Sequence, residues 1–509
     1  MSSIGYSFLI DKLGLTAVPP ARPALLKPVT RIEHEDGHIA VPRHAAPEDH
    51  PLSHLLFALK HEGTDLQILA QAMPKIDPAA LLGELRGTPG GSYIRLACYL
   101  WETFTGKELV DVPAISGATA EVFDPERYVT GPARRSARWR VAFNGLGSTK
   151  YCATVERTPA LEAAMQSNLL GRTKEFVETL GKGVMDRALA WAYLHETEDS
   201  YAIEREAPSE DRARAFVALL HQAHDGRKLD EDYLVELQNA VLTDARLREF
   251  EFRGRQNWLR GPARGAAGVT YVPPPPGLVP ELMSELMEFG NAGPLAIDPI
   301  VAASIVSSGF VFIHPFMDGN GRLSRFLFHQ ALCTSKQLER GLLLPVSVAM
   351  KRNEADYLEA LQSFSRPARE RWSVRWIDEG EYELTFNSDS SLYRYWNATP
   401  FVEFGYRMAE QALEVDLKSE TEFLQAYDAL HRAANERFDV QGNDLASLVR
   451  MCLGNEGKVS NNRRKQFALR VPEKLFDFLE ENAAALKHRP SIGGENEPKP
   501  APPARRRRP

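Results

Sequence analysis

The segment that most constrains this chain is Ile313 to Arg325, IHPFMDGNGRLSR, where two helical patterns meet across a turn of unusual composition. An apolar, helix-patterned run leads into it and ends at His-Pro; a second helix begins near Arg322. Between them lies Asp318-Gly319-Asn320-Gly321. Two glycines flanking an asparagine let successive backbone N–H groups point inward, as a concave anion site needs. That site would sit at a helix N-terminus, where free N–H groups and the helix dipole both favour phosphate. Arg322 and Arg325 are spaced to project from one face toward the same anion. Asp318 offers a hard oxygen ligand for Mg²⁺ beside the phosphates, and His314 is the nearby group whose ordinary pKa lies close to neutrality. Together these residues describe phosphoryl or nucleotidyl transfer to an acceptor whose proton His314 removes.

The rest of the chain reads as several regions. Residues 1–50, rich in Pro and His with weak periodicity, are expected to form an irregular arm. Residues 51–185 read as a helical domain; in SYIRLACYLWETFTGKEL the residues Ile94, Cys98, Trp101 and Phe104 recur on one helix face. Pro113–Tyr151 is expected to be loops. A catalytic domain is expected over 186–370, and within it RGRQNWLRGPARGAAGVTYVPPPP signals a hairpin over about 252–272. Residues 371–486 read as a C-terminal helical domain, opening with alternation over Trp372–Phe386 that suits a small hairpin. The basic, proline-rich stretch 487–509 has the composition of a disordered tail.

At 509 residues and 43% hydrophobic the chain can bury substantial cores. Its net charge of -7 argues against the whole molecule coating nucleic acid. Four dispersed cysteines without a CxxC pair suggest neither a zinc site nor a disulfide framework and fit a reducing compartment. With no apolar run of about 20 residues and no secretory signal pattern, no membrane association and a cytoplasmic location are expected.

HPFMDGNGRLSR resembles the Fic signature, His-x-Phe-x-Asp/Glu-Gly-Asn-Gly-Arg-x-x-Arg, at every fixed position. The Gly-rich hairpin and YVPPPP upstream, and LLLPVS with the Tyr357-Leu358 helix downstream, agree with it. The resemblance implies a mostly α fold: a Fic-type helical bundle core with a short β-hairpin flap, flanked by helical N- and C-terminal domains. It implies a protein adenylyltransferase that moves AMP from ATP, with Mg²⁺, to a Ser, Thr or Tyr hydroxyl of a protein, the chain itself among the candidates. It further implies roles: His314 as base, Phe316 as loop anchor, Asp318 as the Mg²⁺ ligand, and Gly319, Asn320 and Gly321 lining the anion nest, with the Asn320 side chain near the α-phosphate. Arg322 would hold the β-phosphate, Arg325 the γ-phosphate, and Tyr357 the adenine side, although the family often has a second aromatic where this chain has Leu358. Asn257, Trp258, Leu259, Arg260 and Gly261 would form the flap that pairs with the target segment.

Upstream, Ser200-Tyr-Ala-Ile-Glu204-Arg205 resembles the inhibitory motif Ser/Thr-x-x-x-Glu-Gly/Asn, with Arg205 departing from it. A carboxylate on Arg325 would deny that guanidinium to the γ-phosphate, so a brake helix is expected over about 197–206. Alternatives remain open at this stage: transfer of another phosphate-linked group, removal of AMP, or a nucleotide sensor whose basic NNRRKQF segment (Asn461–Phe467) and Arg505–Arg508 meet DNA. A homo-oligomer is also compatible.

Overall fold

The computed structural model describes residues 3–242, 248–338, 341–378 and 380–485. The basic tail expected at 487–509 lies outside them. The described chain is mostly helical, with five small sheets of two or three strands. Among the described residues no helix is long and apolar enough to cross a membrane.

Two compact units divide the chain: residues 1–174 with 194–409, and residues 175–193 with 410–509. The boundaries differ from those read in the sequence, because the first unit unites the N-terminal region with the segment that carries the signature. Strand Tyr395–Asn397 runs parallel to Cys152–Thr154, and Thr399 Oγ1 accepts the Glu156 N–H at 2.8 Å. These distant stretches share one ladder, so neither 185 nor 370 ends a unit.

Two loop expectations are corrected. The N-terminal arm contains a helix, Gly5–Leu13, and a three-stranded sheet in which His38–Val41 pairs with both Ala24–Leu26 and Glu33–Glu35. Ile4, Ala24, Ile39, Val41 and Phe57 bury a small core there. The Pro113–Tyr151 stretch contributes strands Ala120–Glu121, Arg134–Ser136, Val141–Phe143 and Leu146–Gly147. Strands of two to four residues are too short to display a period of two, which is why pattern reading missed them.

At the centre of the first unit lies the helix Pro299–Ile313, buried on nearly all sides. Asp298 caps it, its carboxylate accepting from Ile300 N at 2.9 Å and Val301 N at 3.1 Å, and proline occupies the first helical position. Its two buried serines return their hydroxyls to carbonyls one turn back, Ser304 to Ile300 and Ser308 to Ser304. The helix Asn320–Thr334 packs along it, and together they present the connecting turn. The second unit is a helical cluster built on Leu430, Leu445, Leu448, Phe467, Leu475 and Leu479.

Candidate active site

The helix Pro299–Ile313 stops because His314 adopts a left-handed conformation, φ 52° and ψ 60°, while its N–H still reaches Phe310 O. Such a backbone is costly for a residue with a side chain. Arg253 supplies the compensation. Its buried guanidinium donates to His314 O at 2.8 Å, to Pro274 O at 2.6 Å, to Arg255 O at 3.0 Å and to Ile313 O at 3.4 Å. Its own N–H bonds Pro315 O at 2.8 Å. One arginine therefore ties the end of the helix to both legs of the hairpin. Sequence reading passed over it because an arginine within a Gly- and Arg-rich hairpin carries no distinguishing local pattern.

His314 Nδ1 lies 3.1 Å from Val311 O. A carbonyl only accepts, so that nitrogen carries the proton and Nε2 is left with a lone pair. Enclosure by protein, together with the Arg253 charge, takes the imidazole pKa down to about 4 despite opposing contributions from Val311 O, Glu204 and Asp318. The ring is therefore neutral at physiological pH, the form a general base requires.

The turn is braced from within. Phe316 is wholly buried between Phe252 and Phe310, at ring distances of 5.6 and 6.3 Å, in keeping with its expected anchoring role. The Asn320 side chain accepts from Phe316 N at 3.0 Å and donates to Phe316 O at 2.8 Å. Both ends of that amide thus brace the loop from within. Gly319 has φ 73°, and a Cβ there would stand 2.8 Å from the Gln238 amide, which itself donates to Asp318 O at 2.6 Å. The Asp318 carboxylate accepts the Gly319 N–H at 2.6 Å and remains partly exposed.

Arg322 and Arg325 are each 1% exposed at the side chain, and each holds a carboxylate. Arg325 Nη2 reaches Glu204 Oε1 at 3.0 Å and Ser200 O at 2.7 Å, and its Nε donates to Ser200 Oγ at 2.8 Å. Ser200 O is one of the last carbonyls of the helix Lys182–Ile203, where a cation is doubly favoured. The Glu204 carboxylate lies directly on the first turn of Asn320–Thr334: a Cβ on Gly321 would come within 2.0 Å of its Oε1. Arg322 Nη1 pairs with Glu206 Oε2 at 3.1 Å, its Nη2 stands 3.7 Å from Asp318 Oδ1, and its guanidinium covers the Tyr201 ring at 4.9 Å. Glu206, the residue immediately after the recognised motif, was missed because its reach depends on how the chain turns after the helix.

Tyr357 is stacked on Phe404 at 5.6 Å, and burial raises its phenol pKa. Leu358 points to solvent. The hairpin consists of Leu259–Arg260 paired with Val269–Tyr271, both residues of the first strand exposed. Gly261 N–H bonds Gly268 O at 2.8 Å, and Trp258 packs edge-on against Tyr382 at 5.5 Å. Asn257, at the foot of the hairpin, is buried and donates to Phe316 O at 3.2 Å, which joins the hairpin to the turn. In the second unit Asn461–Phe467 is a short helix whose Arg464 is paired with Asp477 and Glu480, at 3.0 and 2.7 Å.

Comparison with known proteins gives a match to the Fic/DOC family over residues 228–332. A probable protein adenylyltransferase of Aquifex aeolicus is 37% identical over 95 residues, 19% of this chain and 27% of that protein. The chain thus spans about a quarter of the length of this curated relative. Among solved structures, a Fic domain-containing signalling protein from Bacteroides thetaiotaomicron aligns at 18% identity and TM-score 0.37, covering 50% of this chain and 96% of that one. A Fic family protein from Desulfovibrio desulfuricans aligns at 21% identity and TM-score 0.37, covering 65% and 90%. The matched residues, 228–332, contain the turn, His314 and both arginines, and over this segment the chain is similar to the Fic/DOC family.

Proposed function

We propose that this domain transfers AMP from ATP to a Ser, Thr or Tyr hydroxyl of a protein, the chain itself among the candidates, and that Glu204 restrains the reaction by holding Arg325. The observation that carries the reading is the pairing of Arg325. A buried guanidinium at a helix N-terminus, matched to a carboxylate laid over Gly321, is an anion site held by one of the protein's own acids.

In this reading Nε2 of His314 accepts the proton of the target hydroxyl while its oxygen bonds to the α-phosphorus. The bond from that phosphorus to the bridging oxygen breaks, and pyrophosphate leaves on Arg322 and Arg325. Asp318 fits a magnesium ion that arrives with the triphosphate, since such ions take one or two protein carboxylates and complete their shell with phosphate oxygens and water. Among the described residues no group of three or more His, Cys, Asp or Glu side chains offers a self-sufficient metal cage. Bound there, the ion would neutralise phosphate charge. The exposed strand Leu259–Arg260 offers backbone groups to an extended target segment. A cytoplasmic setting supplies both ATP and magnesium.

The test is ATP labelled in the α-phosphate. Glu204→Gly is expected to place label on protein about tenfold or more above the unaltered chain, since a charge-assisted pair to Arg325 is removed. His314→Ala in that background removes the label. Equal labelling with and without His314 overturns the mechanism, and label retained from γ-labelled ATP instead makes the domain a kinase.

A further inference from the structure

The segment following the brake helix contains a feature that Glu204 does not explain. The helix Lys182–Ile203 closes through two bonds: Arg205 N–H to Ala202 O and Glu206 N–H to Tyr201 O, both at 3.0 Å. With Arg205 at φ 60°, these are the paired bonds of a Schellman turn, in which a left-handed residue reverses the chain beyond a helix. That geometry accounts for Arg205 standing where the family motif has Gly or Asn: the position must be left-handed, and here arginine adopts it at some cost. The reversal has a second effect. It aims Glu204, from just past the helix, and Glu206, from the residue after the left-handed one, at the same helix N-terminus. Glu204 takes Arg325 and Glu206 takes Arg322, at 3.0 and 3.1 Å.

We propose that Glu206 is a second brake, acting on Arg322, so that one Schellman turn closes the nucleotide site with two carboxylates in the places of two phosphate groups. The proposal rests on the reading of this cleft as a nucleotide site. Each carboxylate is about one-third exposed while each guanidinium is buried, 34% and 38% against 1%. The acids can therefore swing into solvent, whereas the arginines stay in place to receive phosphate oxygens. Glu196 fixes the same helix at a second point, two turns upstream of Glu204. Its buried carboxylate accepts from Ser347 N at 2.7 Å and Ser347 Oγ at 2.5 Å, and lies 2.7 Å from His329 Nε2. Opening the site thus requires the turn to leave, not the helix.

The experiment measures the affinity of magnesium-ATP and magnesium-ADP by calorimetry, alongside α-phosphate labelling, for Glu204→Gly, Glu206→Gln and the double variant. Glu206→Gln keeps the side chain's size on a partly exposed turn. In the Glu204→Gly background it is expected to raise ADP affinity and labelling about threefold to tenfold, the worth of one partly exposed ion pair to a buried partner. Glu206→Lys, which sets a cation against Arg322, should by itself lift labelling above that of the unaltered chain. If the double variant binds both nucleotides within twofold of Glu204→Gly, the second brake is overturned, whether or not label is transferred. If affinity rises in steps but no variant transfers label, the second brake stands and the transferase reading falls. If no variant binds either nucleotide, both fall.

Discussion

Two helices whose ends meet at the candidate site stop on the same irregularity, and they end differently. Pro299–Ile313 closes on His314 and Lys182–Ile203 on Arg205, each a residue with a side chain held at φ near 50–60°. At His314 the deformation is enclosed: the Arg253 guanidinium ties that end of the helix to both hairpin legs, and Asn320 locks the following turn. At Arg205 it lies on the surface, and the turn is seated through Glu204 and Glu206, whose carboxylates are partly open to water. Under the proposed function, strain that holds the base is braced from the interior, while strain that seats the brake is left where it can relax.

The largest effect is expected at the fixed end. In the Glu204→Gly chain, His314→Ala should lower α-phosphate labelling by about 10²–10⁴-fold, the usual worth of a positioned base, with little change in ATP affinity because the phosphate-binding groups remain. A comparable loss of ATP affinity would mean that His314 shapes the site rather than acting in it. Arg253→Gln comes next. It leaves several buried carbonyls without their donor, and we expect it to lower stability by about 3 kcal/mol, read as the denaturation midpoint at an unchanged denaturant slope. If the midpoint stays within a few tenths of a kcal/mol, the end at His314 is not braced by Arg253.

This contrast also marks what the sequence disclosed. His314, Phe316, Asp318, Arg322 and Arg325 were legible because their types and spacing sit within one short segment, where local geometry follows from composition. Ser200 and Glu204 were legible through a second short motif, and the hairpin strand Leu259–Arg260 through its glycines. Arg253, Gln238, Glu196 and Glu206 were not, because each acts on residues scores of positions distant, and pairing at that range depends on packing rather than pattern. The bonds of the Asn320 amide to Phe316 were not legible either, because position in the motif says nothing of how a side chain braces its own loop. The small sheets of residues 3–50 and of Pro113–Tyr151 escaped for the opposite reason: their strands are too short for a period to repeat.

A smaller effect concerns pH. With its pKa at about 4, His314 stays neutral well below the pH at which an ordinary histidine near 6.5 gains its proton. Labelling by Glu204→Gly should hold level from pH 8 to about 5 and then fall as the ring protonates. A fall centred near 6.5 would show the ring to be solvated rather than enclosed. Stability should move in the same sense. The folded pKa lies below the unfolded one, so between them the unfolded chain binds more protons. The contribution is complete above about 6.5 and is lost as pH drops from there toward about 4.

The smallest effect belongs to the surface end. Arg205→Gly should relieve the left-handed backbone while preserving the Schellman bonds, a gain of about 1 kcal/mol or less once glycine's greater freedom in the unfolded chain is set against it. In a unit of this size that is an upward shift of roughly 1–2 °C in the thermal midpoint, accompanied by weaker labelling in the otherwise unaltered chain because the brake seats better. The same change at His314 cannot be made without deleting the base, so Arg205 is the place where strain and function can be separated. A lower midpoint with stronger labelling would mean that the arginine side chain, not the turn, keeps Glu204 and Glu206 on their partners, and the comparison between the two helix ends would then rest on side-chain contacts instead of backbone geometry.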